Sequence, residues 1–252
     1  MIYLYSGTPG SGKSLHMARD ILSKLRRKQN VICNFPINLD IVQMTRIRAI
    51  LLFLIKLFRL KIDLKDRFKR KIGTFVYKPD RDLTVAYLVS YAKMNHVVGK
   101  EGQTLLIVDE CQRIWNSSKN RISKKEMEKW EDFFSLHRHL GYNIILATQK
   151  DRMIDRYLRD LLEYDVVHRK ANNFGSIGMF IPFKLFVAIT RWYGINQKCG
   201  SEYFTYNKKH GQLYDSYARF EHEEEPKKEN ENDDETEKDN VLYLAQSGEE
   251  TA

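Results

Sequence analysis

The chain has 252 residues, 42% of them hydrophobic, enough for one substantial core or one core with a small appendage. The formal net charge of +9 combines two opposite parts: residues 221–252 carry 13 acidic and 3 basic side chains, and everything before them is strongly basic. Three widely separated cysteines, Cys33, Cys111 and Cys199, form no CxxC pair, which argues against a zinc site or a disulfide framework and fits a reducing compartment.

A basic body is either a solvated surface or the footprint of an anionic partner such as nucleic acid, an acidic lipid surface or a phosphorylated substrate. Along the chain, Met1 to Ser6 reads as a short strand, with no charged leader or cleavage site of a signal peptide visible. It runs into Gly7-Thr8-Pro9-Gly10-Ser11-Gly12-Lys13-Ser14, a full match to G-x-x-x-x-G-K-[ST], and Lys13 to Lys28 then reads as a helix. In that strand-to-helix context the backbone N–H groups of the loop and the helix N-terminus cradle phosphate oxygens. Lys13 is expected to reach the β- and γ-phosphates of a nucleoside triphosphate, ATP before others, and the Ser14 hydroxyl to ligate Mg²⁺.

Val31 to Phe35 is a second strand, and about Asp40 to Lys71 a basic insertion with helical spacing. Within it, Ile50 to Leu60 (ILLFLIKLFRL) contains Lys56 and Arg59 and falls short of the roughly 20 apolar residues a spanning helix needs. It reads as a buried or partner-facing helix, with an interfacial membrane helix as the alternative. Gly178 to Gly194 is broken by Pro182, Lys184 and Arg191 and reads as strand. No clear transmembrane helix is expected.

Phe75 to Tyr77 is a short strand and Thr84 to Met94 a helix. Thr104 to Val108 is a continuous apolar run, the pattern of a strand buried on both faces, and it ends in Asp109-Glu110. Asp109 is placed beside the metal and Glu110 where a general base polarises the attacking water. Lys124 to Leu140 is an amphipathic helix stopped by Gly141. The His137-Arg138-His139 close to its end is explained by the helix dipole, with Arg138 reaching a neighbouring subunit's γ-phosphate as the functional alternative. His137 and His139 at alternate helix positions face apart, which argues against a shared metal.

Asn143 to Ala147 is the next buried strand, followed by Thr148-Gln149. In a parallel sheet the strand C-termini share one rim, so Gln149 should face the γ-phosphate as sensor or water-orienting group. Met153 to Glu163 follows as a helix and Asp165 to Arg169 as a strand. Alternating strands and helices imply an α/β P-loop NTPase fold, a mainly parallel sheet flanked by helices. Its domain is expected over 1–174, with the insertion at about 40–71. Leu185 to Tyr193, Glu202 to Tyr206 and Leu213 to Tyr217 read as an antiparallel strand appendage over 175–220, and the acidic 221–252 as a disordered tail. The late aromatics, Trp192, Tyr193, Tyr203, Phe204, Tyr206, Tyr214 and Tyr217, read as a sheet core or as stacking groups for single-stranded bases.

The N-terminal phosphate loop, VICNFPIN, LLIVDECQRIW, SLHRHLGYNIILATQ and IDRYLRDL, in that order, resemble the Zot (zonula occludens toxin-like)/filamentous-phage assembly protein I family, which is similar to FtsK/HerA-type ATPases. The likeness covers about Met1 to Lys170 and weakens toward Phe220. It implies an ATPase that drives assembly and extrusion of a filamentous phage at the inner membrane, acting on single-stranded phage DNA and coat protein. Lys13 and Ser14 fall on the family's phosphate loop, and Asp109 and Glu110 on its second acidic motif. Members from two-membrane hosts typically continue into a transmembrane helix and a periplasmic region where this sequence has its acidic tail.

The expectation is therefore an oligomeric ATP- and Mg²⁺-dependent motor in the host cytoplasm, at the inner face of the plasma membrane by peripheral contact or through a membrane partner. The alternatives are a small-molecule (nucleotide) kinase and a nucleotide-gated adaptor with little hydrolysis.

Overall fold

The computed structural model describes residues 1–59, 68–116, 122–173, 183–195 and 197–214. Six parallel strands form its centre: β1 (Ile2–Ser6), β2 (Asn30–Cys33), β3 (Phe75–Tyr77), β4 (Thr104–Val108), β5 (Tyr142–Ala147) and β6 (Tyr164–Lys170). Two antiparallel strands, β7 (Leu185–Trp192) and β8 (Lys198–Thr205), continue the same sheet past β6. The order across the sheet is β3-β2-β4-β5-β1-β6-β7-β8. The helices are α1 (Lys13–Arg26), α2 (Leu39–Gln43), α3 (Arg46–Leu57), α4 (Val85–Asn95), α5 (Lys124–Leu136), α6 (Arg156–Asp160) and α7 (Lys208–Leu213).

The apolar runs alternate between two cores, as buried parallel strands must when both faces are covered. On one face Leu106, Val108, Ile144 and Leu146 meet Leu88 of α4 and Trp130, Phe133 and Phe134 of α5. On the other, Leu105, Ile107, Ile145 and Ala147 meet Met17, Ile21 and Leu25 of α1 and Leu213 of α7. Trp130 is 1% exposed and stands edge-on to Trp115, with ring centroids 4.8 Å apart. Trp130→Ala is expected to lower the unfolding free energy by about 3–5 kcal/mol, the usual loss for an emptied aromatic site. Denaturant unfolding with an unshifted midpoint would contradict this packing.

Three segments differ from the reading of the sequence. Met153 to Glu163 is not one helix: a single turn at Asp151–Met153 gives way to extended backbone at Ile154, and α6 starts afresh where the Asp155 carboxylate accepts the Tyr157 N–H at 2.9 Å. The helix begun at Lys124 ends at Leu136, and the turn after it tightens, with the Gly141 N–H donating to the Arg138 carbonyl at 2.9 Å. Leu213 closes a helix and does not begin a strand. Asn207 caps α7 by accepting the Lys209 N–H at 2.9 Å, and Tyr214 makes a lone bridge to Ile37. Residues 215–217 and the acidic 221–252 lie outside the described residues.

The insertion's helix α3 has no buried residue, which excludes its reading as a buried helix. Ile47, Ile50, Phe53, Leu57 and Phe58 are each more than half exposed. Among the described residues no helix is long and apolar enough to cross a membrane.

Candidate active site

Because β1, β4 and β5 are parallel and adjacent through β5, their C-terminal ends share one rim. Tyr5 pairs with Ala147, and Val108 with Leu146, so the residues following the three strands meet there. They line a cleft of about 360 Å³ with Gly10, Gly12, Lys13, Ser14, Asp109, Glu110 and Gln149 around it. Of the residues expected to carry chemistry, Pro9 to Ser14, Asp109, Glu110 and Gln149 therefore line one cleft, and Gly7 and Thr8 precede them in the loop.

The loop between β1 and α1 needs glycine at two places for different reasons. At Gly7 a Cβ would come within 2.6 Å of the His168 carbonyl oxygen. Gly12 has φ +99°, and a Cβ there would strike Phe186 Cδ1 at 2.7 Å. Gly12 is also the N-cap of α1 and offers no side-chain cap, and the first turn carries no acidic residue. The first-turn N–H groups and the positive helix end are thus left for an anion. Ser11 Oγ is buried without a hydrogen-bond partner among the described residues. A phosphate chain would meet the open N–H groups and the positive helix end.

Lys13 is buried in the loop, its ammonium donating to the Gly7 carbonyl at 2.6 Å and the Thr8 carbonyl at 3.4 Å. Burial lowers its pKa, and the nearby Glu110 and Asp109 carboxylates oppose that shift. Ser14 is exposed into the cleft.

Asp109 is 6% exposed and held from several directions. Its Oδ1 accepts the Glu110 N–H at 2.9 Å and its Oδ2 the Tyr214 hydroxyl at 2.7 Å. Its backbone is clamped by Asn34, whose Oδ1 accepts the Asp109 N–H at 2.8 Å and whose amide donates to the Asp109 carbonyl at 2.9 Å. Among the described residues no group of three or more His, Cys, Asp or Glu side chains is placed to hold a metal ion. A Mg²⁺ here would be held by Ser14, Asp109, phosphate oxygens and water, the donor set a small hard cation accepts.

Glu110 has φ +49° and ψ +45°, a left-handed conformation unusual for a residue with a side chain. Such strain clusters at functional sites, where the surroundings over-determine it. Here the Glu110 N–H is fixed by Asp109 and its Oε2 accepts from the Gln112 amide. Gln149 is exposed and lies just past β5, between the loop and Asp109. Arg138, by contrast, stands at the opposite rim before β5, where its guanidinium pairs with Glu163. It thus lies away from its own chain's cleft, whereas its expected reach was to a neighbouring subunit's γ-phosphate. His137 is buried and His139 exposed, consistent with their facing apart.

The sequence reading missed one wall of the cleft. Phe186, Tyr206, His210, Gly211 and Tyr214 line it from β7, the end of β8 and α7. Of the late aromatics, Phe204 is core, Tyr203 and Trp192 are exposed, and Tyr217 lies outside the described residues. Asn34 carries a signal in VICNFPIN, a polar residue directly after a buried strand; the others do not.

Beneath the loop lies a buried histidine pair. His168 Nδ1 contacts the Ser6 carbonyl at 3.2 Å, His16 Nδ1 lies 2.9 Å from His168 Nε2, and Arg19 approaches His16 Nε2 at 3.4 Å. A carbonyl only accepts and a guanidinium only donates, so both rings are neutral, with the proton on Nδ1 in each. Burial pushes both pKa values down to about 3, His168 helped by His16 and His16 by Arg19. Asp20, which accepts the Tyr5 hydroxyl at 2.8 Å, is raised by burial to about 6.

The signs follow by linkage. As pH falls below 6.5 the unfolded histidines bind protons that the folded ones refuse until about 3, so stability is lost across that interval. Asp20 acts oppositely between about 6 and 3.8, since its folded form takes the proton first. Two histidines outweigh one carboxyl, so these three groups together are expected to lower stability on going from pH 7 to pH 5. The thermal midpoint measured at both pH values should fall accordingly; a midpoint that rises on acidification would contradict the neutral pair.

Comparison with known proteins bears on the family and the fold. The family model for Zonular occludens toxin (Zot) matches residues 1–221. The zona occludens toxin of Vibrio cholerae is 24% identical over 197 residues, covering 73% of this chain and 43% of that protein. The chain thus spans less than half the length of this curated relative. Among solved structures, a DnaB-like replicative helicase covers 85% of this chain and 58% of its own, at 12% identity and a TM-score of 0.50. The N-terminal domain of zonular occludens toxin from Neisseria meningitidis is 20% identical, covering 85% of this chain and 98% of its own with a TM-score of 0.47. The fold is that of the P-loop NTPases, a mostly parallel sheet flanked by helices with antiparallel C-terminal strands. The chain is a member of the Zonular occludens toxin (Zot) family.

Proposed function

We propose that this chain hydrolyses ATP with Mg²⁺ and couples hydrolysis to the assembly and extrusion of filamentous phage, moving single-stranded DNA or coat-protein subunits. The observation that carries the reading is the meeting of Lys13, Ser14, Asp109, Glu110 and Gln149 in one cleft beside an uncapped helix N-terminus. Lys13 and the loop N–H groups hold the β- and γ-phosphates. Mg²⁺, when bound through Ser14 and Asp109, neutralises charge on the phosphate oxygens. Glu110 accepts the proton of the attacking water, and Gln149 orients that water and senses the γ-phosphate.

Membership of the Zot family and the basic body support the phage-assembly role and an anionic cargo. The apolar, basic α3 supports peripheral contact at the inner face of the host membrane, or with a membrane partner, and the motor is read as a homo-oligomer. Purified protein should release phosphate from ATP faster when single-stranded DNA is added at low salt. Turnover indifferent to DNA would remove DNA as the coupled cargo and leave coat protein. A second reading, a nucleotide-gated adaptor with little hydrolysis, is favoured by the hold of Tyr214 on the Asp109 carboxylate. Tight ATP binding without turnover would select it.

A further inference from the structure

The cleft has a direction set by the sheet. Asp109 and Glu110 follow β4 and Gln149 follows β5, and both strands lie on one side of β1. That side is the γ-phosphate end. On the other side come β6, β7 and β8; β7 runs antiparallel to β6 and β8 antiparallel to β7, so β7 begins and β8 ends at the rim where β6 ends. Lys170 pairs with Phe186, and Leu185 with Thr205, which delivers Phe186 and Tyr206 to the cleft at the end away from the carboxylates.

Resting on the ATP-binding reading above, we propose that this aromatic end is a nucleoside-base site, in which the ring of Tyr206 stacks on the base over a floor made by Phe186. Tyr206 is 52% exposed, a large ring left open where it borders the cleft. It is nevertheless seated. A Cβ at Gly211 would lie 2.6 Å from its hydroxyl oxygen and 2.9 and 3.0 Å from two ring carbons. Glycine inside a helix is unfavourable by about 1 kcal/mol relative to alanine, and the ring's position supplies a packing reason for it in α7.

Phe186 is fixed by the phosphate loop itself, through its approach to Gly12, and is stacked on Phe204 at 5.6 Å and 23°. Phe186 is 7% exposed and both rings are in place before a ligand arrives, which spares the ordering of side chains on binding. Base–aromatic stacking is tolerant of sequence because every base has a π-face. The site accordingly grips ATP and GTP alike, and holds pyrimidine nucleotides less firmly because of their smaller stacking area.

The test measures binding of ATP and of inorganic tripolyphosphate, each with Mg²⁺, to the full chain by calorimetry. Wild type, Tyr206→Ala and Tyr206→Phe are compared. Tyr206→Ala should weaken ATP roughly tenfold, the scale of one lost stack, and leave tripolyphosphate unchanged. Tyr206→Phe should restore ATP binding. Unchanged ATP affinity in Tyr206→Ala, with tripolyphosphate still bound, overturns the base site and leaves the phosphate loop standing. An equal loss for both ligands also overturns it, because the ring then acts through the fold. Failure of wild type to bind either ligand overturns the nucleotide reading itself.

Discussion

Lys13→Ala should lose ATP hydrolysis by at least about a hundredfold while remaining folded, the scale seen when one preorganised charge-stabilising donor is removed. The ammonium lies in the loop against the Gly7 and Thr8 carbonyls, inside the cleft to which the ATP-hydrolysis proposal assigns the β- and γ-phosphates. Removing it leaves those carbonyls beside a water-accessible cleft, so the two hydrophobic cores should be untouched and unfolding should stay cooperative. Phosphate-release kinetics and a thermal melt measured on the same preparation check both halves. Wild-type turnover in the variant would show that Lys13 is not the phosphate-binding lysine.

Glu110→Gln separates binding from chemistry. The amide keeps the length of the side chain and the left-handed backbone fixed by Asp109, but it cannot take a proton from water. Turnover should fall by about 10²–10⁴ with ATP affinity close to wild type, the range a positioned general base contributes. Calorimetry for affinity and single-turnover phosphate release for the chemical step read the two quantities independently. Undiminished single-turnover chemistry would remove Glu110 as the base and leave Gln149 or bulk solvent to activate the water.

The parts of this fold that were legible in the sequence are those set by local chemistry. Continuous apolar runs bounded by turn residues gave β4 and β5 almost residue for residue, and the phosphate loop fixed the junction of β1 and α1. Thr84 and Ser123 start α4 and α5 as side-chain caps, accepting the N–H groups of Tyr87 and Glu126 at 3.2 and 3.3 Å. Where the reading went astray, a local competitor was overlooked. Asp155 and Asn207 are caps too, and each begins a short helix that aliphatic or aromatic spacing alone did not reveal.

The rest depended on contacts between distant positions. The Tyr214 hydroxyl reaches Asp109 across 105 residues, and His16 meets His168 across 152. No spacing rule links such pairs. Phe186 and Tyr206 belong to the cleft because the antiparallel pair returns its open end to the rim of the parallel strands, a property of sheet order and not of any motif. Arg138, expected to serve a neighbouring subunit's γ-phosphate, precedes β5 and so stands on the rim opposite its own chain's cleft.

The measurement that bears most directly on this account is phosphate release from ATP by the wild-type chain, with Mg²⁺ present and after chelation by EDTA. Turnover that requires Mg²⁺ and returns when the cation is restored is the predicted result. Release that continues unchanged in EDTA, or ATP left unbound and intact under every condition, would contradict it.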